Sequence, residues 1–220
     1  MIVLALSDLH SEDRVIDKIV KLTSRKGYDA IFLVGDISDY GNVGYLDELI
    51  AAIGDIPIYS IPGNMDDKPV RNILQEKTLY ADLRKLRIGN KYDLFGIGGG
   101  LRGPFATPYE YDDESLLLKI DDVVLEPPSI VLSHSPPYGY FDDVGMDVHI
   151  GSKAVLKFMN NNVPFMLVCG HVHEHKGYLK AGNVNIIKLG PAKKGCAAEI
   201  KFSYVSEHKN NVEVNWIKMF

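Results

Sequence analysis

Seven side chains of metal-ligating type stand just beyond short apolar runs: Asp8, His10, Asp36, Asn64, His134, His171 and His173. Carboxylates, imidazoles and a carboxamide suit borderline divalent ions such as manganese, iron or zinc. The lack of cysteine among them speaks against a purely structural zinc. One ion would be over-supplied by seven ligands. Two ions sharing a carboxylate would use them fully, with about four protein bonds each and space left for water and substrate. Ions roughly 3.5–4 Å apart form a clamp for the attacking and leaving oxygens of an in-line displacement at phosphorus. With two aspartates and a bridging hydroxide counted, such a pair keeps about one net positive charge, which draws a phosphate without surface lysines.

The runs that must position these residues are Ile2–Leu6, Ile31–Val34, Ile58–Ile61, Ile130–Leu132 and Phe165–Cys169. Each is β-branched or bulky and short, the signature of a buried strand. In an open α/β sheet the functional crevice lies beyond the carboxyl ends of the strands, so residues far apart in sequence are expected to converge there. Helical spacing separates the strands. Ser11 is placed to cap a helix with Val15, Ile16, Ile19 and Val20 on its apolar face and Gly27 beyond its end. Further helices are expected over Tyr45–Ile53, Asp66–Gln75, Glu114–Val123 and Ser152–Met159. Leu86–Ile88 and Leu94–Ile97 read as a hairpin about the Gly89-Asn90-Lys91 turn. Glycine and proline then thicken from Gly98 to Pro108, a long loop expected beside the site. At the end, Ile200, Phe202 and Tyr204, then Val212, Val214 and Trp216, alternate with polar residues. That pattern predicts a terminal hairpin closing a second sheet.

Composition narrows the function classes. A chain of 220 residues, 46% hydrophobic, can bury a full core and reads as a single domain over residues 1–220. Its 24 basic residues against 29 acidic ones give a net charge of −5. No basic run is longer than a pair, such as Lys193-Lys194, so no dedicated nucleic-acid surface is expected. The first apolar run is too short for a signal-peptide core or a membrane span, which makes the cytoplasm the expected location. Cys169, in a strand-like run, and Cys196, in a late loop, offer neither a disulfide framework nor zinc-finger spacing.

Asp8-Leu9-His10, Gly35-Asp36, Gly63-Asn64, a lone His134 after a strand and Gly170-His171-Val172-His173 occur in an order that resembles the calcineurin-like metallophosphoesterases. Each piece alone is common; the ordered set, each after a strand-like run, is specific. The resemblance covers about residues 1–205. It implies a four-layer α/β/β/α sandwich of two mixed sheets flanked by helices, without a capping domain. It also implies that Asp8, His10, Asp36 and His173 hold one ion while Asp36, Asn64, His134 and His171 hold the other, Asp36 bridging. The implied activity is metal-dependent hydrolysis of small phosphate esters, diesters rather than monoesters, by a metal-bridging hydroxide. Asp36, Asn64 and His134 then carry catalysis, with manganese the first choice of ion and iron or zinc the alternatives. One departure has chemical weight: where phosphatases of the family commonly place a histidine after Gly-Asn, this chain has Met65, followed by Asp66. In this it is similar to the family's small prokaryotic phosphodiesterase-like branch.

Other residues have weaker claims. Arg102, in the glycine loop, is a candidate for gripping the phosphate. His149 is a candidate either for lining the pocket or for capping the helix begun near Ser152; His175 reads as structural and His208 as exposed. Gly96-Ile97-Gly98-Gly99-Gly100 fails as a dinucleotide loop because Leu101 takes the third glycine position. Ser133-His134-Ser135 lacks a nucleophile elbow. A non-catalytic scaffold for protein assembly, as in the retromer subunit of this fold, is the rival class, because fold alone does not establish catalysis. A scaffold loses ligands freely, and none of the seven is missing. A phosphomonoesterase is the rival within the enzymes, and a homo-oligomer is compatible with all these readings.

Overall fold

The computed structural model describes residues 1–39, 41–206 and 209–220. Strands β1 (Ile2–Leu6), β2 (Ala30–Val34) and β3 (Ile58–Ile61) lie parallel, joined by helices α1 (Asp13–Arg25) and α2 (Val43–Ile53). Helix α3 (Lys68–Lys77) leads to the short β4 (Leu79–Tyr80), parallel to β3. A hairpin of β5 (Lys85–Ile88) and β6 (Tyr92–Ile97) opens the second sheet, and the Gly89–Lys91 turn stands where the sequence places it. A small parallel ladder of β7 (Gly100–Leu101) and β8 (Glu110–Tyr111) follows. Then α4 (Asp113–Ile120), β9 (Ser129–Ser133), α5 (Lys153–Asn162) and β10 (Met166–Cys169) alternate, with β6, β9 and β10 parallel. The hairpin β11 (Gly177–Ala181) and β12 (Val184–Lys188) completes that sheet, and β13 (Cys196–Ser206) and β14 (Lys209–Lys218) end the chain.

The two large sheets have the orders β14-β13-β1-β2-β3-β4 and β11-β12-β10-β9-β6-β5. They pack face to face with helices outside, giving the four layers that the family resemblance implies. Alternation within the buried strands explains why. Val3 and Ala5 of β1 face the core between the sheets with Phe32, Ile130, Leu132 and Val168. Leu4 and Leu6 of the same strand face α1, α2 and α3 through Val15, Leu46 and Val70. On the other side, Phe95, Val131 and Leu167 meet Leu116 of α4 and Phe158 of α5. A strand apolar on both faces can sit only in a sheet covered on both sides.

Three local expectations are corrected. The terminal hairpin does not close the second sheet: β13 pairs antiparallel with β1, Ala198 opposite Ala5. After β12 the chain is tied to the end of β1, where Ala192 and Lys193 donate backbone hydrogen bonds to Ser7 and Asp8 (2.9 and 3.1 Å). Alternation shows that a strand has a wet face, not which edge it joins. Ser11 does not cap α1. Glu12 does, accepting from the Arg14 amide, while Ser11 Oγ accepts from Asp39 N–H at 3.1 Å. Cys196 opens β13 instead of sitting in a loop. No helix among the described residues is long and apolar enough to cross a membrane.

Candidate metal centre

Five strands deliver the seven ligand-type residues to one edge of the sandwich: Asp8 and His10 after β1, Asp36 after β2, Asn64 after β3, His134 after β9, His171 and His173 after β10. The chain turns sharply there. Asp8, His10, Asp36 and His171 all have positive φ, from 49° to 74°, a region costly for residues with a Cβ. Neighbouring loops hold them in it. Asp8 N–H donates to Gly35 O (3.0 Å), and the amides of Leu9 and His10 both donate to Asp36 O (2.8 and 3.1 Å). The glycines preceding three of the ligands have a steric reason. A Cβ on Gly35 would stand 2.2 Å from His134 Nδ1, and one on Gly63 would stand 2.0 Å from Asp36 Oδ1. Only bare backbone lets these loops close on the site.

The donor atoms form two groups, Asp8 with His10 and His173, and Asp36 with His134 and His171, each lying within 4.8 Å of one another. Asp36 faces both. Its Oδ2 is 3.7 Å from His10 Nε2 and 3.4 Å from His134 Nε2. Its Oδ1 accepts from Met65 N–H at 2.8 Å, which fixes the carboxylate plane. Asn64 adds its amide oxygen, 3.2 Å from His134 Nε2, while its Nδ2 donates to Thr107 Oγ1 at 3.2 Å. Asp8 Oδ1 is 3.2 Å from His173 Nε2, and its Oδ2 accepts from His171 N–H at 3.1 Å.

Tautomers decide whether this cluster fits a cation. His10 Nδ1 meets the Asp39 carboxylate at 2.6 Å, which calls for a proton on Nδ1 and leaves Nε2 with its lone pair. That Nε2 is buried with no hydrogen-bond partner, facing the Asp36 carboxylate. Lone pair against carboxylate is repulsive unless a cation stands near both. His134 repeats the pattern. Its Nδ1 donates to Val34 O at 2.9 Å, so Nε2 faces two acceptors, from Asn64 and Asp36. The residues therefore fit divalent ions.

The charges agree with that fit. Burial resists protonation of His134, but the Asp36 and Asp8 carboxylates overcome it and raise its pKa to about 9. A proton thus fills the place a metal would take, and metal binding would release it. His171, desolvated and beside His134, is pushed down to about 4 and is neutral at pH 7, its lone pair free. Burial raises the Asp8 carboxyl, yet the His173 hydrogen bond and the His134 and Lys188 charges hold it well below the usual range. Asp36 is held low in the same way, burial being outweighed by His134. Next to them Asp66 is pushed up to about 7 by burial and the Asp36 charge. Its carboxylate accepts from the amides of Gly63, Ile37 and Ser38 (2.7 to 3.2 Å) and ties the β2 and β3 loops together.

An open cavity of about 870 Å³ lies over the cluster, walled by Met65 and Asp67 on one side and Phe105, Ala106, Thr107 and Pro108 on another. The Gly98–Pro108 loop thus flanks the site, but Arg102 does not line the cavity. Its N–H pairs with Tyr111 O (2.8 Å) beside the β7–β8 ladder and its side chain is exposed. That ladder turns the next residues, not Arg102, over the cluster. His149 is also outside the lining. Its Nδ1 pairs with Asp142 Oδ1 at 2.8 Å, and Ser152 itself caps α5. His175 bonds Asp143 O at 2.6 Å and joins neither donor group; His208 lies outside the described residues. Sequence reading missed Asp39, three residues after Asp36 on the same loop, whose spacing could have marked it. It missed Phe105 and Thr107 too, which no local pattern distinguishes.

Comparison with known proteins bears on the family and the fold. The family model described as calcineurin-like phosphoesterase matches residues 1–175, a span that holds all seven ligand-type residues. An uncharacterized protein of Methanocaldococcus jannaschii is 34% identical over 171 residues, 74% of this chain and 78% of that one. Among solved structures, a dimetal phosphatase from Danio rerio superposes with a TM-score of 0.62 at 12% identity, covering 100% of this chain and 99% of that one. An archaeal phosphodiesterase does so with a TM-score of 0.56 at 12% identity, covering 98% and 100%. At such identities the likeness is one of fold. The ordered ligand types on five strand ends, the two donor groups they form and the matched family model lead to one conclusion: this chain belongs to the calcineurin-like phosphoesterases, a family of metal-dependent hydrolases.

Proposed function

We propose that the chain is a phosphodiesterase working with two divalent ions, manganese first and iron or zinc as alternatives. Asp8, His10, Asp36 and His173 would hold one ion; Asp36, Asn64, His134 and His171 would hold the other. The observation that carries this reading is the position of Asp36 Oδ2, within 3.7 Å of His10 in one donor group and 3.4 Å of His134 in the other. When bound, the ions supply Lewis-acid polarisation of phosphoryl oxygens and ready deprotonation of water at neutral pH. The chain's own residues do the rest. Met65 N–H and the paired loops fix Asp36, Val34 O and Asp39 set which nitrogens of His134 and His10 stay free, and Thr107 orients the Asn64 amide.

Met65, in the cavity wall, cannot donate a proton to a leaving group. This favours esters whose leaving oxide is a weak base and needs no acid, and among phosphates it favours the singly charged diester over the dianionic monoester. We further propose that residues 1–220 form one such domain without a cap. We place it in the cytoplasm, where its two unpaired cysteines would stay reduced, acting on a small phosphate ester. The test is Asp36→Asn against Asn64→Ala, with metal content by elemental analysis and turnover of an aryl diester. Asp36→Asn is expected to lose most of both ions and Asn64→Ala to weaken one. Two full ions in Asp36→Asn would refute the bridging role.

A further inference from the structure

The wall of the cavity away from the donor groups has a chemistry of its own. Phe105 is 86% exposed, yet it lines the cavity over the donor groups and is not on a free-standing tip. Two residues on, Thr107 N–H and Oγ1 both bond Glu110 Oε1 at 2.7 Å, and Oγ1 accepts from Asn64 Nδ2. Tyr109 N–H donates to Asn64 O at 3.0 Å. The segment carrying Phe105 is therefore pinned to a residue of the metal centre. Met65 lines the same cavity from the loop after β3. A flat ring and a polarisable thioether are surfaces on which another ring packs well.

Charge narrows the occupant further. Among the described residues lining this cavity there is no lysine or arginine, and the acidic group outside the two donor sets is Asp67, whose Oδ1 caps α3 by accepting from Val70 N–H. One phosphate would be met at the donor groups. A second anionic group would find no cation and would face a carboxylate, a costly juxtaposition in a partly desolvated cavity.

We infer that Phe105 and Met65 form a subsite for an uncharged aromatic ring on one arm of the ester, so that the preferred substrates are singly charged phosphodiesters bearing such a ring. This rests on the phosphodiesterase reading of the site and adds the identity of the arm. It disfavours polyphosphates and esters with a second acidic group.

The test separates the arm from the chemistry. Bis(p-nitrophenyl) phosphate and methyl p-nitrophenyl phosphate release the same p-nitrophenolate and differ in the arm that stays behind. In the metal-loaded native protein kcat/KM is expected to favour the diaryl ester. Phe105→Ala should lower the diaryl-to-methyl ratio about 5- to 150-fold, the range set by the loss of one ring-stacking contact, while Phe105→Tyr retains it. Metal content by elemental analysis checks that the centre is intact. Calorimetric binding of diphenyl phosphate against dimethyl phosphate reads the subsite independently of turnover. Diphenyl phosphate should bind tighter to the native protein, with the advantage lost in Phe105→Ala, and bis(4-carboxyphenyl) phosphate should bind more weakly than diphenyl phosphate. Absence of hydrolysis with that binding preference intact would refute the diesterase reading and leave the subsite standing. An unchanged ratio in Phe105→Ala, or equal binding of diphenyl and dimethyl phosphate, would overturn the subsite.

Discussion

Replacing Asp39 tests the tautomer reasoning at the centre most directly, because this residue acts on the proposed metal through His10 alone. Its carboxylate sits 2.6 Å from His10 Nδ1, and its side chain is 35% exposed where the His10 ring is 9% exposed. Removing the partner of a metal-ligating histidine typically costs about 10–100-fold in metal affinity, or about 1.4–2.7 kcal/mol. Asp39→Asn keeps an acceptor oxygen and loses only the charge, so it belongs near the tenfold end. Asp39→Ala leaves Nδ1 to water and belongs near the hundredfold end. Because metal bound to the native state stabilises it by linkage, saturating metal should raise Tm by less in each variant than in the native protein. For a chain of this size the shortfall is about 3–6 °C for Asp39→Asn and about 5–11 °C for Asp39→Ala. The assay is the metal-induced shift in Tm, each variant compared with its own chelated form, which cancels the intrinsic worth of the His10–Asp39 contact. The Asp36, His134 and His171 group, which Asp39 does not touch, should still take up an ion. Equal shifts in all three proteins would refute the claim that Asp39 prepares His10 Nε2 for a metal.

Further outcomes follow from individual contacts. Gly63→Ala would press a methyl group against the Asp36 backbone and carboxylate, so it should cost about 1–3 kcal/mol and most of the activity. Gly27→Ala, with nothing near its Cβ, is the neutral control, and equal Tm values for the two would defeat the steric explanation. Met65→His restores a donor in the cavity wall and should accelerate alkyl esters more than aryl esters, by up to about 10²–10⁴; an equal gain for both would mean altered binding instead. Away from the site, burial raises the Glu199 carboxyl, but Lys26 at 2.7 Å, with Asn215 and Lys201, holds it below its unfolded value. A depressed carboxyl stabilises the fold above the unfolded pKa of about 4.3, and that contribution fades as pH falls through the folded value. Glu199→Gln should therefore lower Tm at pH 7, and its gap from the native protein should close as pH falls from about 4.3 through the depressed folded value. A gap that does not change with pH would show that the charge is not responsible.

What this sequence determined by itself is what short-range physics encodes. Apolar runs such as Ile31–Val34 are too hydrophobic on both faces to be anything but covered strands, and they can be read without knowing their neighbours. The residues just past them are strand ends by construction. Asp8, Asp36, Asn64, His134 and His171 could thus be assigned to one sheet edge before any contact was known. The glycines before three of them were visible as letters, but their reason was not, since the atoms a Cβ would strike at Gly35 and Gly63 belong to other loops. Tertiary structure alone decided what depends on distant partners. Alternation at Ile200, Phe202 and Tyr204 showed a half-wet strand, yet its pairing with β1, beside the tie between Ala192 and Ser7, was settled by contacts distant in sequence. Composition marked 98–108 as a loop near the site, yet the β7–β8 pairing turned Arg102 away and brought Phe105 to the cavity. His149 was claimed by Asp142, and Asp39 was claimed by His10. Periodicity and strand ends are properties of a few consecutive residues. Which side chain fills a gap between two loops is set by packing across the whole sandwich, and no local pattern carries it.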